Sequence, residues 1–428
     1  MDQLTKRNWA SFLLIGLVGQ FAWTIENMYF NVFLYNTIST DPGYIAAMVA
    51  ASAVVATLTT LFIGSLSDRI GRRKIFICGG YIIWGITTMA FGLISVHNVA
   101  TWFPALNAVS TAAIIIVVMD CIMTFFGSSA YDSSFNAYVT DITNTKNRGR
   151  VESVLAVLPL ISMLIIFGGF DSMTKQGHWS LFFGIFGGLV TLTGVVALFL
   201  VRDSHPEVKK EPFLKNLIAG FRPAIIRNNP DLYLTLAAFC LFSIAVQIFF
   251  PYLIIYLQNY LKFDNYAILL GIVLILASAV SVICGRFIDR VGKINFVLPA
   301  SAVMFVGLIG MFLTRSALSV GIAGTVMMGG YMLVTSSLSA AIRDFTPADR
   351  VGEFQGIRMI FAVMIPMIIG PAIGAAVITN SGLIYTDLGV AKNVPTPGIF
   401  LASAIALLLV ILPVVILKRR LHRENHVG

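Results

Sequence analysis

The sequence predicts an all-α membrane protein whose twelve transmembrane helices form two pseudo-symmetric six-helix bundles, and three observations carry that expectation. The first is composition: 57% of residues are hydrophobic, 11% are charged and the mean hydropathy is +0.87, far from the quarter-charged makeup of soluble domains. The second is where the charge falls. Gly64 to Lys74 reads GSLSDRIGRRK, and Arg69, Arg72, Arg73 and Lys74 cannot sit in hydrocarbon, so the apolar runs on either side end there. Excess positive charge in a short loop marks the cytoplasmic face. The third is repetition. The stretch recurs as GRFIDRVGK at Gly285 to Lys293, with Gly64 on Gly285, Asp68 on Asp289, Arg69 on Arg290 and Gly71 on Gly292, all at an offset of 221.

In chain order, the apolar runs place spans near 9–36, 44–66, 75–96, 107–139, 151–172 and 179–201, then 232–259, 264–286, 294–314, 318–342, 353–379 and 397–418. Each holds about the 20 apolar residues a helix needs to cross a core of about 30 Å, and a bilayer offers backbone groups no partner outside the helix itself. An even count with a cytoplasmic start places both termini inside, in keeping with Lys418, Arg419, Arg420 and Arg423 at the tail. Arg202 to Pro230 is polar, basic and proline-bearing. It reads as a cytoplasmic linker between an N-terminal bundle, 1–201, and a C-terminal bundle, 231–428, with a short basic tail.

The net charge of +9 would suggest nucleic acid if the basic residues formed a stripe, but they lie in loops between spans. The loops assigned to the cytoplasm hold 24 of the 29 Lys and Arg; Lys175, Lys262, Arg315 and Lys392 are external, and Arg358 lies within a span. The charge therefore reports topology in a multi-pass protein of the plasma membrane, with anionic lipid headgroups as its acidic partner and no nucleic acid. Cys78, Cys121, Cys240 and Cys284 show no metal-ligand spacing and read as small packing residues. The first apolar run is too long for a signal-peptide core and reads as a retained helix.

A second repeat supports the division. Ser133 to Ser153, SSFNAYVTDITNTKNRGRVES, aligns with Ser336 to Gly356, SSLSAAIRDFTPADRVGEFQG, at an offset of 203. Asp141 falls on Asp344, Thr143 on Thr346 and Gly149 on Gly352. The offsets differ by 18 residues, and the polar, proline-containing His97 to Ser110 is the natural home for much of that insertion. It reads as a longer external loop and a longer fourth helix in preference to a flap over an entrance.

The loop motif and its echo, with twelve spans and a central linker, resemble the major facilitator superfamily over nearly the whole chain. The resemblance implies alternating-access secondary transport of a small-molecule solute at a site between the bundles near the midplane, by a protein working as a monomer. It also implies a gate built from Gly64, Asp68, Arg69, Gly71, Arg72 and Arg73 with Asp289 and Arg290. An acid there pairs with an arginine or with the positive N-terminal end of the eleventh helix near Glu353.

Within span one, QFAWTIENMYFN puts Gln20, Thr24, Asn27 and Asn31 at steps of 4, 3 and 4, which a regular helix would superimpose on one face. Glu26 lies about 100° around. An acid at that depth costs about 2.5 to 3.5 kcal/mol on insertion scales, so it should face a watery cavity or be protonated there. The 221 offset brings Glu26 onto Gln247 in span seven. Gln20, Thr24, Glu26, Asn27, Asn31 and Gln247 are the candidate solute contacts.

Span four carries two acids. Counting from Asp141 at about 1.5 Å per residue, Asp132 lies roughly 13 Å inside, near the midplane, and Asp120 roughly 31 Å away, near the external rim. Asp132 shares a face with Ser128 and Asn136, and its repeat mate is the neutral Thr335. It is the first candidate for proton coupling, with Glu26 next. Asp120 reads equally as a rim residue in water or a lining residue. Arg358, whose mate in span five is Leu155, reads as a salt-bridge partner of Asp68 or Asp141, or as a contact to an anionic solute.

The chain also resembles, more loosely, the glycoside-pentoside-hexuronide cation symporters and the sucrose carriers, which implies a sugar or glycoside carried with a cation. Melibiose-type members place sodium-coordinating aspartates in span two, whereas Tyr44 to Leu66 contains no acid, so a proton is the expected coupling ion. A proton-coupled multidrug or metabolite antiporter is the alternative; the amide-rich first span argues for a polar solute instead. There is no GKS/T phosphate loop, no His-rich metal spacing and no nucleophile elbow, so neither an enzyme nor a cofactor is expected.

Overall fold

A computed structural model describes residues 4–143, 148–202, 223–346, 351–381, 384–387 and 390–427, without the side chains at 65, 68, 148–150, 152–153, 285–287, 289–290, 351–353, 355, 384–387, 390–392 and 424–427. Twelve long helices match the expected spans: α1 Lys6–Ile38, α2 Pro42–Ile70, α3 Arg73–Leu93, α4 Ala108–Ile142, α5 Arg148–Gly169, α6 Trp179–Leu200, α7 Pro230–Tyr260, α8 Tyr266–Val291, α9 Lys293–Leu313, α10 Ala317–Phe345, α11 351–380 and α12 Gly398–Arg423. Among the described residues, eleven are long and apolar enough to cross a membrane, and α5 holds the shorter apolar stretch Val154–Gly169. Thr5, Asn107 and Ser316 cap α1, α4 and α10 by accepting from the backbone N–H three residues on, which satisfies an otherwise orphaned donor. Ahead of α12, Ile384–Asp387 and Val390–Asn393 pair as a two-stranded antiparallel ribbon, β1 and β2.

The chain divides into two compact units, unit 1 comprising Met1–Thr40 and Ala51–Phe213 and unit 2 comprising Asp41–Ala50 and Leu214–Gly428. The start of α2 thus groups with unit 2, which the apolar pattern of span two does not mark. Most of the linker expected at 202–230 lies outside the described residues; its last part forms a short helix, Pro223–Asn228.

In unit 1, α1 packs on α5 and α6, and α3 packs on α4 and α6. Helices α3 and α6 approach so closely that a Cβ on Gly85 would stand 2.4 Å from the Gly187 carbonyl oxygen. Small residues allow this where lipid tails supply no hydrophobic drive for helix association. In unit 2, α9 and α10 are the corresponding pair, with a Cβ on Gly307 falling 2.3 Å from the Met327 amide nitrogen, while α7 packs on α11 and α12.

The repeat is visible in the backbone. Gly71 has φ +68° and Gly292 has φ +90°, so both α2–α3 and α8–α9 turn through a conformation that L side chains avoid. The insertion expected at His97 to Ser110 is divided between a short helix, Val96–Trp102, capped by Ser95, and a fourth helix of 35 residues against 29 in α10. The longer loop and longer helix are thus both present.

Candidate functional site

The site is built on two helices whose regular winding is interrupted. In α1 the turn Ile25–Tyr29 is widened, with the Phe30 N–H bonded to the Ile25 carbonyl five residues back, and Leu34–Ile38 is widened again. In α4 the stretch Ser128–Phe135 is wound the same way. Such wide turns shift the helical register by one residue and are frequent at functional sites.

The four polar residues expected on one face flank or enter the widened turn Ile25–Tyr29 and make different contacts. Gln20 reaches α4, its Nε2 donating to the Tyr131 hydroxyl at 2.8 Å, whereas the Thr24 hydroxyl bonds the Gln20 carbonyl at 2.7 Å and lies 3.0 Å from the Ser162 hydroxyl of α5. Asn27 and Asn31 turn their amide nitrogens back on their own helix, donating to the carbonyls of Trp23 and Asn27 at 2.8 Å each. Thr24 is therefore a tie between helices. Asn31 keeps a buried Oδ1 without a partner.

Glu26, only 7% exposed, accepts from the Thr124 hydroxyl at 2.9 Å through one oxygen, and its other oxygen is buried without a partner. Asp120, 1% exposed, is hydrogen-bonded by Ser52 of α2 and likewise keeps Oδ1 buried and unpartnered. The two carboxyl groups lie close enough for their charges to interact. Asp120 is thus no rim residue in water: Ser52 and Glu26 cover it, and axial depth along α4 does not reveal neighbours on other helices. Asp132 is half-buried and accepts from Ser128 at 3.0 Å, while Asn136 donates to its carbonyl at 3.0 Å. The expected Ser128, Asp132 and Asn136 grouping is present, on the widened turn. Among the described residues no Lys or Arg pairs with any of the three acids.

Sequence reasoning misses the aromatic wall. Trp23, one turn before Glu26, meets Trp84 of α3 with ring centroids 5.2 Å apart, and both indole N–H groups are buried without a partner. Trp84 lies against Gly127, where a Cβ would stand 2.8 Å from the ring, and Tyr131 fits against Gly19 at 2.3 Å by the same measure. The glycines at these positions are the available signal, because each marks a helix surface left open for a ring. Unit 1 therefore holds unsatisfied buried acceptors and unsatisfied buried donors together. Such groups ordinarily find a partner in water or a ligand, and this set can hold a proton or bond a polar solute.

The candidate gate is described in part. The side chains of Asp68, Asp289 and Arg290 lie outside the described residues. Arg69 and Arg72 are exposed, whereas Arg73 is buried and its guanidinium donates to Asp141 at 3.1 Å and to the Ser67 hydroxyl at 2.5 Å. Arg73 is thus a strut tying the α2–α3 turn to the end of α4 inside unit 1. Gly64 faces Ser133 of α4, 3.6 Å from where its Cβ would stand. Arg73 is a described partner of Asp141, and Asp68, the other acid expected to meet Arg358, has its side chain outside the described residues. In unit 2, Gln247 is half-buried on α7 beside Gly370, where a Cβ would fall 2.4 Å from its own.

Several known proteins resemble the chain. In fold it is similar to the crystal structure of a bacterial homolog of the human lysosomal transporter Spinster, inward-facing and occupied, with a TM-score of 0.72 at 14% identity over 97% of this chain and 98% of that one. It is also similar to the nucleoside transporter NupG in its D323A form, with a TM-score of 0.71 at 13% identity over 95% of this chain and 97% of that one. A curated relative, the uncharacterized MFS-type transporter YkuC of Bacillus subtilis (strain 168), is 26% identical over 103 residues, a stretch spanning 24% of each chain. The profile of the Major Facilitator Superfamily matches residues 12–362, and the chain belongs to that superfamily of membrane transporters.

Proposed function

We propose that this transporter moves a small hydroxylated solute, a sugar or glycoside, across the plasma membrane by alternating access in symport with protons. The observation that supports this most is the pair Glu26 and Asp120, without a Lys or Arg partner among the described residues and each with one buried oxygen unpartnered. A buried carboxylate without a counter-ion is costly, and binding a proton removes the charge without requiring a cation side chain. Glu26 and Asp120 take the proton role ahead of Asp132, which is only half-buried and whose oxygens are not among the buried, unpartnered ones. The orphaned indole N–H groups of Trp23 and Trp84 and the free acceptor of Asn31 suit a solute that both accepts and donates hydrogen bonds, and ring faces suit the apolar side of a sugar. The fold shared with a nucleoside transporter adds nucleosides, which carry a ribose, to the class to be tried.

A second reading, proton-coupled efflux of organic cations, draws on the same absence of Lys and Arg among the described partners of the acids, since an indole face beside a carboxylate also attracts a cation. The deciding experiment is uptake of labelled sugars, glycosides, nucleosides and a lipophilic cation into proteoliposomes, with and without an inward proton gradient. Gradient-driven accumulation of a hydroxylated solute that a protonophore abolishes is the expected result. Transport of the organic cation alone supports efflux, and accumulation indifferent to the gradient sinks proton coupling.

A further inference from the structure

At the end of unit 2 where α7 and α11 begin and α10 ends, a cavity of about 260 Å³ carries two arginines, Arg343 of α10 and Arg358 of α11. Their guanidiniums lie close enough to repel each other. Neither makes an ion pair or hydrogen bond with any described residue, although Arg358 is half-buried. Among the described side chains the nearby acids are taken: Asp344, next to Arg343 in the chain, pairs with Lys293 at 2.5 Å, and Asp231, next to Leu232 of the cavity wall, pairs with Arg420 at 2.8 Å. Like charges held together in a partly apolar cavity are unfavourable unless an anion joins them. Guanidinium is the side chain best suited to that anion, because its planar fork bonds phosphate oxygens two at a time and it is weakly hydrated. Leu232, Leu236 and Phe354 line the same cavity and give it an apolar part, which suits the carbon skeleton of an ester better than a bare hydrated ion.

We infer that Arg343 and Arg358 form a binding site for a phosphate ester, supplied either by an anionic phospholipid headgroup or by a soluble phosphate metabolite. The site is separate from the acids of unit 1 and stands whether or not the transport reading holds, because it is read out by binding. The full chain is purified into phosphatidylcholine nanodiscs. In one arm phosphatidylglycerol is added and retained lipid is counted by native mass spectrometry; in the other, glycerol 3-phosphate is titrated and the thermal unfolding midpoint is followed. The expected result is that the wild type responds in one arm, which names the source, and that Arg343→Gln and Arg358→Gln each weaken the response at least tenfold, while Arg358→Lys retains part of it. Arg343 is exposed, so its variant tests the site without disturbing a buried position. No response in either arm, or an undiminished response in Arg343→Gln, overturns the assignment.

Discussion

Arg73 and Lys293 stand in corresponding turns of the two units, just beyond glycines of positive φ, and each reaches the acid that closes the following long helix, Asp141 in one case and Asp344 in the other. The pairs differ in depth. Side-chain exposures are 5% and 18% for Arg73 and Asp141 but 33% and 53% for Lys293 and Asp344. In unit 1 the arginine's fork also takes Ser67, so its guanidinium is held at two points. In unit 2 the point charge of lysine leaves its turn open. The same contrast extends inward: unit 1 carries acids at Glu26 and Asp132, whereas the matching positions in unit 2 are Gln247 and Thr335, and unit 2 carries Arg358, half-buried and without an ion pair among the described residues. A duplicated framework thus constrains backbone turns and helix contacts, while the placing of unpaired charge is free to diverge.

The largest effect should come from removing the charge asymmetry itself. Glu26→Gln or Asp120→Asn should abolish gradient-driven accumulation in proteoliposomes while downhill exchange persists, because an amide keeps the shape but cannot titrate; Gln247→Ala, at the matching place, should leave the response to the gradient intact. If both acid variants still concentrate solute, the proton is carried elsewhere and Asp132→Asn becomes the variant to measure. Next, Arg73→Ala removes the buried guanidinium that holds Asp141 and Ser67 and should cost unit 1 about 3 kcal/mol, the low end of the range for breaking a buried pair from one side because Asp141 is only part-buried, seen as a lowered unfolding midpoint in detergent. A smaller loss, about 1 to 3 kcal/mol, is expected for Gly307→Ala, where the new methyl meets the Met327 backbone and must push α9 from α10. Lys293→Ala should cost less than about 1 kcal/mol, and the difference from wild type should shrink at high salt. Equal losses for Arg73→Ala and Lys293→Ala would dissolve the contrast between the two turns.

The helices and the repeat are legible in the sequence because a bilayer imposes a length and a polarity that no other environment does, and because Gly71 and Gly292 occupy turns only glycine suits. The acids of the site are legible for the same reason, since charge in a span stands out. Their neighbours are not. Nothing in IENMY marks the widened turn that holds Asn27 and lies between Thr24 and Asn31, so a regular period takes no account of the change in register it brings. Asp120 reads as half a rim residue because counting along α4 measures depth but not cover, and its cover comes from Ser52 and Glu26 on other helices. Trp23 and Trp84 escape notice for the opposite reason: aromatic residues in spans are ordinary, and only their unpartnered N–H groups set them apart.

Helix α4 illustrates what its two faces must do at different times in the protein's life. Ile114, Val118, Ile122 and Phe125 are exposed on one side, while Asp120, Met123, Thr124 and Gly127 are buried on the other. Before unit 1 assembles, α4 enters the membrane carrying Asp120 and Asp132 with no Ser52 or Glu26 beside them. Its acceptance by the insertion machinery rests on the apolar row, since each acid near the centre of a span opposes partition by about 2.5 to 3.5 kcal/mol. Residues on the face away from the acids therefore bear on whether the acids arrive at all, and a polar change at Val118 should lower the amount of inserted protein more than the activity per molecule.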